Sequence, residues 1–327
     1  MVFLAIGFYF LQKTFGKEDL SQIGTQLLSA NLFWIGLVVL VSILGHIIRC
    51  LRWQQLINGG GEKVKLAPVF HSLLLGYAVN YLIPRVGEVV RCASLNKTTK
   101  IPVTRLFGTV LIERMLDVCS LAIVLPTIFF MQYDRFKVLI HEYVLPWIQP
   151  YYQKVMDNWM LVVGVILAAF VGLYFFGNHL DKKEEAKKSE GKTSWADEMW
   201  EGILSIKKVK NIPLLILYTF LIWGYYFTTN YLCLFALDSA LQEKWSAALA
   251  TGAFGSIGRS LPIAGGGMGA YHFIIKEVLL QFGVTALFAS SMSVIFHGIQ
   301  MLFHLFFGAI GGMYVWTKSL GKKEIKE

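Results

Sequence analysis

With 327 residues, 55% of them hydrophobic and only 16% charged, the chain lies outside the balance of a soluble globular protein and reads as a polytopic membrane protein. Its mean hydropathy of +0.56 points the same way. The net charge of +9 comes from basic groups clustered between apolar windows. That fits contact with anionic lipid headgroups and excludes nucleic-acid binding, because no basic aqueous domain is there to hold a duplex.

Met1 to Leu11 is apolar but short, and lacks the basic leading region and small-residue cleavage site of a signal peptide; it reads as a short or truncated first helix. Lys13 to Ser29 is polar. Asn31 then opens a helix reaching about Ile57, with Leu32 to Ile48 apolar enough to cross a bilayer. His46, Arg49, Arg52 and Trp53 share one face near its end. They read either as an interfacial anchor with snorkelling arginines or as a basic lip where a phosphate headgroup enters. Gly59, Gly60 and Gly61 make a loop.

Leu66 to Leu82 is apolar and stops at Pro84 and Gly87, before a second short piece reaching Leu95. Two half-length segments joined by Pro and Gly predict a re-entrant hairpin over about 66–95, tolerable only inside protein or beside a wet cavity. The helix starting near Gly87 would aim its N-terminal amides at that cavity. Val103 to Met131 follows as one long helix with Arg105, Thr109, Glu113 and Asp117 at four-residue steps and Arg114 beside them. Six charges at this depth, Arg85, Glu88, Arg91, Glu113, Arg114 and Asp117, would cost on the order of 15–20 kcal/mol if they faced lipid. They must face protein, water or a ligand, either as an ion-pair network locking helices together or as a binding site.

Residues 132–211 form a connector. It is rich in interfacial aromatics such as Tyr143, Trp147 and Tyr151, and holds one crossing at 159–176 and a charged loop from Asn178 to Lys192. An amphipathic helix at 193–208 is expected to lie on the membrane. Ile212 to Leu237 is another crossing, and Trp245 to Leu261 stops at Pro262, Gly265, Gly266, Gly267 and Gly269 before Ala270 to Phe282 resumes. This predicts a second hairpin over about 245–282, followed by a last long helix, Thr285 to Trp316, and a basic tail. Cys50, Cys92, Cys119 and Cys233 lack the close spacing of zinc or redox sites and read as free thiols.

The chain therefore reads as one transmembrane domain, 1–327, of all-α class: a polytopic helical bundle whose first repeat, 31–131, and second repeat, 212–317, each hold a full crossing, a broken hairpin and a long crossing. Pro84 to Gly87 matches Pro262 to Gly265. Lys13, Lys17, Arg135, Lys137, Lys154 and Lys244 fall outside and the larger share of Lys and Arg inside, so the C-terminus is expected in the cytoplasm of a cell (inner) membrane. The two hairpins then have opposite orientation, the inverted repeat of a transporter.

The run Gly265 to Gly269 lacks the Lys-Ser/Thr of a phosphate-binding loop, and no His-Glu-x-x-His or Gly-x-Ser-x-Gly pattern occurs. His297 and His304, with Gln300 between them, face one side of the last helix and read as hydrogen-bonded bundle residues rather than metal ligands. Gly308 and Gly312 read as close-packing positions.

Asn80-x-x-x-Pro84-Arg85-x-Gly87-Glu88-x-x-Arg91, then Glu113-Arg114-x-x-Asp117, then Leu261-Pro262 with Gly265-Gly266-Gly267-Met268-Gly269, together resemble the membrane domain of lysylphosphatidylglycerol synthases, the multiple peptide resistance factors, and its stand-alone relatives. The resemblance covers nearly the whole chain from about Asn31. In that family the membrane domain is held to flip aminoacylated phospholipid between leaflets, while a separate soluble domain makes the lipid. Related membrane domains are attached to polyprenol glycosyltransferases. This sequence departs from the full-length synthases in showing no soluble acyltransferase domain, so aminoacylation is not expected of it and the cargo is left open.

The expectation is a flippase or scramblase for an anionic or phosphate-bearing lipid: aminoacyl-phosphatidylglycerol, another phospholipid or a polyprenyl-linked lipid. No catalytic residue, cofactor or metal is expected. Arg85, Arg91, Arg114 and Arg259 would bind phosphate, with Arg49 and Arg52 where the headgroup enters, and Asn80 would hydrogen-bond the headgroup. Glu88, Glu113 and Asp117 would balance charge, engage a cationic moiety or carry a coupling proton. Pro84, Gly87, Pro262, Gly265, Gly266 and Gly267 break the hairpins. Expected partners are membrane lipids, a separate lipid-modifying enzyme and a second copy of the chain. The alternatives are a membrane-embedded enzyme on lipid-linked substrates and an accessory anchor for a separate synthase or glycosyltransferase.

Overall fold

A computed structural model describes residues 2–16, 20–139, 141, 142, 145, 146, 149, 157, 158, 194–238 and 241–320, and every regular element among them is helical. The expected crossing at 159–176 lies outside the described residues. The chain forms two compact units, Met1–Phe129 with Met199–Glu327, and Phe130–Glu198. The second contains the two-turn helix α7 (Tyr133–Leu139); the architecture below is that of the first.

Four helices are long and apolar enough to cross a membrane: α3 (Leu32–Gly59), α6 (Val103–Met131), α9 (Ile212–Cys233) and α12 (Ala286–Leu320). Asn31 caps α3, its side chain accepting from Phe33 N at 3.0 Å, and Asn211 caps α9 through Leu214 N at 3.0 Å. Helices α3 and α9 pack closely, since Gly45 presents its bare backbone to the Tyr225 ring. Helix α1 (Val2–Phe15) packs on the second hairpin. The stretch from Lys13 to Ser29, expected to be merely polar, contains a further helix, α2 (Leu20–Leu28), which buries Ile23 and packs on α12.

Both broken segments are hairpins of paired helices. The first joins α4 (Leu66–Leu82) to α5 (Val86–Thr99), and the second joins α10 (Lys244–Ser260) to α11 (Ala270–Leu280). Their turns differ. The first takes three residues, Ile83 to Arg85, with Arg85 in the left-handed region at φ 69°. The second takes nine, with one turn at Ala264–Gly267 and positive φ at Gly265, Gly266, Gly267 and Gly269. Gly87 is therefore not a hairpin break. It lies inside α5, and its missing side chain lets the helix backbone rest on the Gly76 carbonyl and on Asn80 of α4.

Helix α12 is the spine of the fold. His71 and Leu74 of α4 meet it at Gly311 and Gly308, while Tyr77 and Tyr81 reach His304. Gly311, rather than the expected Gly312, shares the close approach with Gly308. From the other end, Leu279 packs with Phe288, Ala289 and Met292, and Tyr271 and Arg259 reach His297 and Gln300. The hairpins thus approach α12 from opposite ends, and their tips meet beside its middle.

Helix α8 (Trp195–Leu204), the expected amphipathic helix, continues as a 3-10 turn through Lys208. Its Gly202 rests on the Arg105 carbonyl of α6, and Glu201 pairs with the Arg105 side chain.

Gly87→Val should force α4 and α5 apart, costing about 1–3 kcal/mol as an overpacked contact. The thermal midpoint of the detergent-solubilised protein should fall by several degrees. Gly224→Ala, on α9 with open space at its Cβ, should leave that midpoint unchanged or raised.

Candidate functional site

Helix α6 carries its acidic residues on the face it turns to α3 and α5. Glu113 has no solvent exposure and pairs with three guanidiniums: Arg49 at 2.7 Å, Arg52 at 3.5 Å and Arg91 at 2.9 Å. One turn on, Asp117 accepts from Arg52 at 2.5 Å and Arg49 at 3.2 Å, and lies 3.6 Å from Arg114. Glu88 completes the cluster, 2.9 Å from Arg91 and 2.5 Å from Arg114. Arg91 also lies over the Trp53 ring, whose indole donates to Thr109 at 2.9 Å. Four arginines here meet three carboxylates, so every acid is committed and the cluster stays net positive.

This corrects the reading of Arg49 and Arg52 as snorkelling anchors. They are 4% and 0% exposed, because carboxylates more than sixty positions away in sequence neutralise them inside the bundle. Arg49 also donates to the Tyr226 hydroxyl.

Beside this cluster the two hairpin tips border an open cavity of about 450 Å³. Asn80, Arg85 and Glu88 line it from the first hairpin, Arg259 and Gly266 from the second, Arg114 and Asp117 from α6, and Arg49 from α3. Arg91, Glu113 and Arg52 do not line it; they lie beside it, in the ion-pair cluster. Arg85 crosses between the tips to donate to the Ser260 carbonyl at 2.5 Å. Arg259 donates to Gln300 at 2.7 Å and lies over the rings of Tyr226 and Tyr271. Neither meets a carboxylate among the described residues.

Asn80 uses its side-chain oxygen to accept from Gly87 N at 2.8 Å. The amide expected to await an anion at the start of α5 is therefore already satisfied, and Asn80 serves the hairpin as well as the cavity wall. Pro84 and Pro262 both line the cavity, and Gly266 takes the Tyr81 ring against its backbone.

The sequence reading missed the aromatic wall of Tyr77, Tyr81, Trp223, Tyr225 and Tyr226, and the contact between His46 and His304. A signal existed for the first: Tyr77 and Tyr81 are one turn apart on α4, and paired tyrosines interrupt an apolar crossing at 225–226. No grouping of three or more His, Cys, Asp or Glu suited to a metal ion occurs among the described residues, and Cys50, Cys92, Cys119 and Cys233 are free thiols.

The family described as "Lysylphosphatidylglycerol synthase TM region" matches residues 1–308, and the chain belongs to it. It is therefore a multi-pass membrane protein. It is also 30% identical over 119 residues to the "UPF0104 membrane protein MJ1595" of Methanocaldococcus jannaschii, a stretch covering 36% of this chain and 35% of that protein. The match thus spans about a third of that relative's length. No solved structure matches the chain.

Glu113→Gln should leave buried guanidiniums uncompensated and cost about 3–5 kcal/mol, seen as loss of monodisperse protein or a large fall in thermal midpoint. Arg85→Gln, which removes one bond from an exposed side chain, should cost no more than about 1 kcal/mol in the same measurement.

Proposed function

We propose that this member of the lysylphosphatidylglycerol synthase TM region family is a lipid flippase or scramblase, and not an enzyme. A phosphate-bearing headgroup passes through the cavity between the hairpin tips while the acyl chains stay in the bilayer. The observation that carries this reading is the pair Arg85 and Arg259: one from each hairpin, facing one cavity, held by neutral groups and so left with charge to offer. A phosphate accepts charge-assisted hydrogen bonds from such guanidiniums far better than a backbone carbonyl or an amide does.

Helix lengths favour re-entrance. At 1.5 Å per residue, α4 and α10 extend about 26 Å, α5 about 21 Å and α11 about 17 Å, all short of a hydrocarbon core about 30 Å thick. Hairpins that approach one long helix from opposite ends and stop at its middle are what an inverted repeat with a midplane site requires. The excess of Lys and Arg in the segments after α3, α5, α8 and α12 supports a cytoplasmic C-terminus. Exposed apolar side chains, among them Leu82, Ile83, Val118 and Leu261, flank the cavity and leave lipid tails a hydrocarbon surface outside it.

We assign Arg85 and Arg259 to the headgroup, with Arg49, Arg114 and Asn80 on the cavity wall, and give Arg52, Arg91 and Glu113 a structural role. The positive left-handed φ at Arg85 supports this division. A non-glycine residue there costs roughly 1–2 kcal/mol, and such strain gathers where function over-determines the backbone.

The test is reconstitution in vesicles containing head-labelled phosphatidylglycerol, or head-labelled lipids of other classes, read by a reagent confined to the outer leaflet. Wild-type protein should speed exchange of a phosphate-bearing lipid over empty vesicles. Arg85→Gln and Arg259→Gln should each slow it by roughly tenfold or more, the loss of one charge-assisted hydrogen bond, while remaining folded. Exchange no faster than in empty vesicles for every lipid tried would end this reading.

A further inference from the structure

Two of the chain's seven histidines, His46 and His304, line the cavity. Nδ1 of His46 lies 2.6 Å from the Ser42 carbonyl, which can only accept, so that nitrogen carries a proton. The two Nε2 atoms of His46 and His304 are 2.8 Å apart, and one proton must lie between them, donated by His304. In the neutral pair Nδ1 of His304 is then a bare lone pair, and it makes no hydrogen bond. The Gln300 carbonyl, one turn earlier on α12, is placed to receive a proton bound there. The geometry thus holds two protons and has a ready position for a third.

A third proton would add positive charge beside positive charge already there. The pair faces Arg49 on α3 and Arg259 on α10, and otherwise meets neutral hydroxyls and rings: Tyr77 and Tyr81 on α4, Tyr225 on α9 and Phe303 on α12. The carboxylates of the same cavity are already paired, Asp117 on α6 with Arg49 and Arg52 and Glu88 on α5 with Arg91 and Arg114. His46 and His304 line the same cavity as Arg85 and Arg259. An anion seated between those arginines would offset their positive charge and so favour the third proton.

We propose that the His46–His304 pair is a proton-binding site, occupied when an anionic headgroup fills the cavity, so that headgroup and proton cross together. This rests on the transport reading for its purpose, though the coupling itself is a property of binding. The linkage is reciprocal: a bound anion raises affinity for the proton by the factor by which the proton raises affinity for the anion. Transport coupled this way would be driven by a pH difference across the membrane.

Two measurements test it. The first adds glycerol 3-phosphate to the full-length protein in weakly buffered detergent solution and records both bound anion and proton uptake. About one proton per bound anion is expected from wild type. Above the pair's titration range, binding should weaken about tenfold per pH unit. Proton uptake per bound anion should vanish in His304→Gln and in His46→Gln. The second imposes a pH gradient on vesicles with head-labelled phosphatidylglycerol and a trapped pH dye, with voltage clamped. Lipid should accumulate in the leaflet facing the alkaline side, with matching proton flow. Lipid exchange without proton uptake or gradient response would overturn the proton site and leave the transport reading intact. Proton uptake on glycerol 3-phosphate binding without lipid movement would uphold the site and count against transport. Uptake that persists in both histidine variants, or no uptake in wild type, would overturn the proposal.

Discussion

A carboxylate held without water between three guanidiniums is the constraint on which the rest of the fold depends. Glu113 joins α6 to α3 through Arg49 and Arg52, and to the first hairpin through Arg91. Taking ions out of water costs several kcal/mol each, so such a cluster is poor evidence of net stability. Its value is positional: no other register of α3, α5 and α6 would pair these charges. Fixing α5 against α6 fixes the hairpin tip, and with it the place where Arg85 points.

The outline of the fold was legible because hydropathy and helix breakers are local signals. Four long helices follow from apolar length, and two hairpins from Pro84 and Pro262 with their neighbouring glycines. The pairings were not legible. A reading that takes each residue alone sends Arg49 and Arg52 to the membrane surface, because snorkelling is the cheapest fate of an unpaired arginine. Only contacts with Glu113 and Asp117 across the fold make burial cheaper. The same holds for His46 and His304, 258 positions apart. Gly87 was legible as special but not for its reason, since close approach to Gly76 depends on the partner helix rather than on local sequence.

The candidate site divides in the same way. Asn80, Arg85, Glu88, Arg114, Asp117 and Arg259 were singled out as charged or polar residues in apolar surroundings, and all line one cavity. Arg91 and Glu113 were singled out on the same grounds and lie beside it. Sequence marks which side chains cannot face lipid, but a lipid-avoiding charge is equally well served by a partner or by a cavity, and only geometry separates the two.

That separation has a chemical logic. A guanidinium paired with a carboxylate presents little net charge to a third party, whereas one held by a carbonyl, an amide or an aromatic face is positioned with its charge intact. Arg85 on the Ser260 carbonyl, and Arg259 between Gln300 and the rings of Tyr226 and Tyr271, belong to the second kind. Both also bridge elements that an anion would have to loosen: Arg85 joins the two hairpin tips, and Arg259 joins the second tip to α12. A phosphate that claimed these donors would fill the cavity and break the bonds between its walls in one event. In the transport reading, binding and release of the tips would therefore be coupled through the same two side chains.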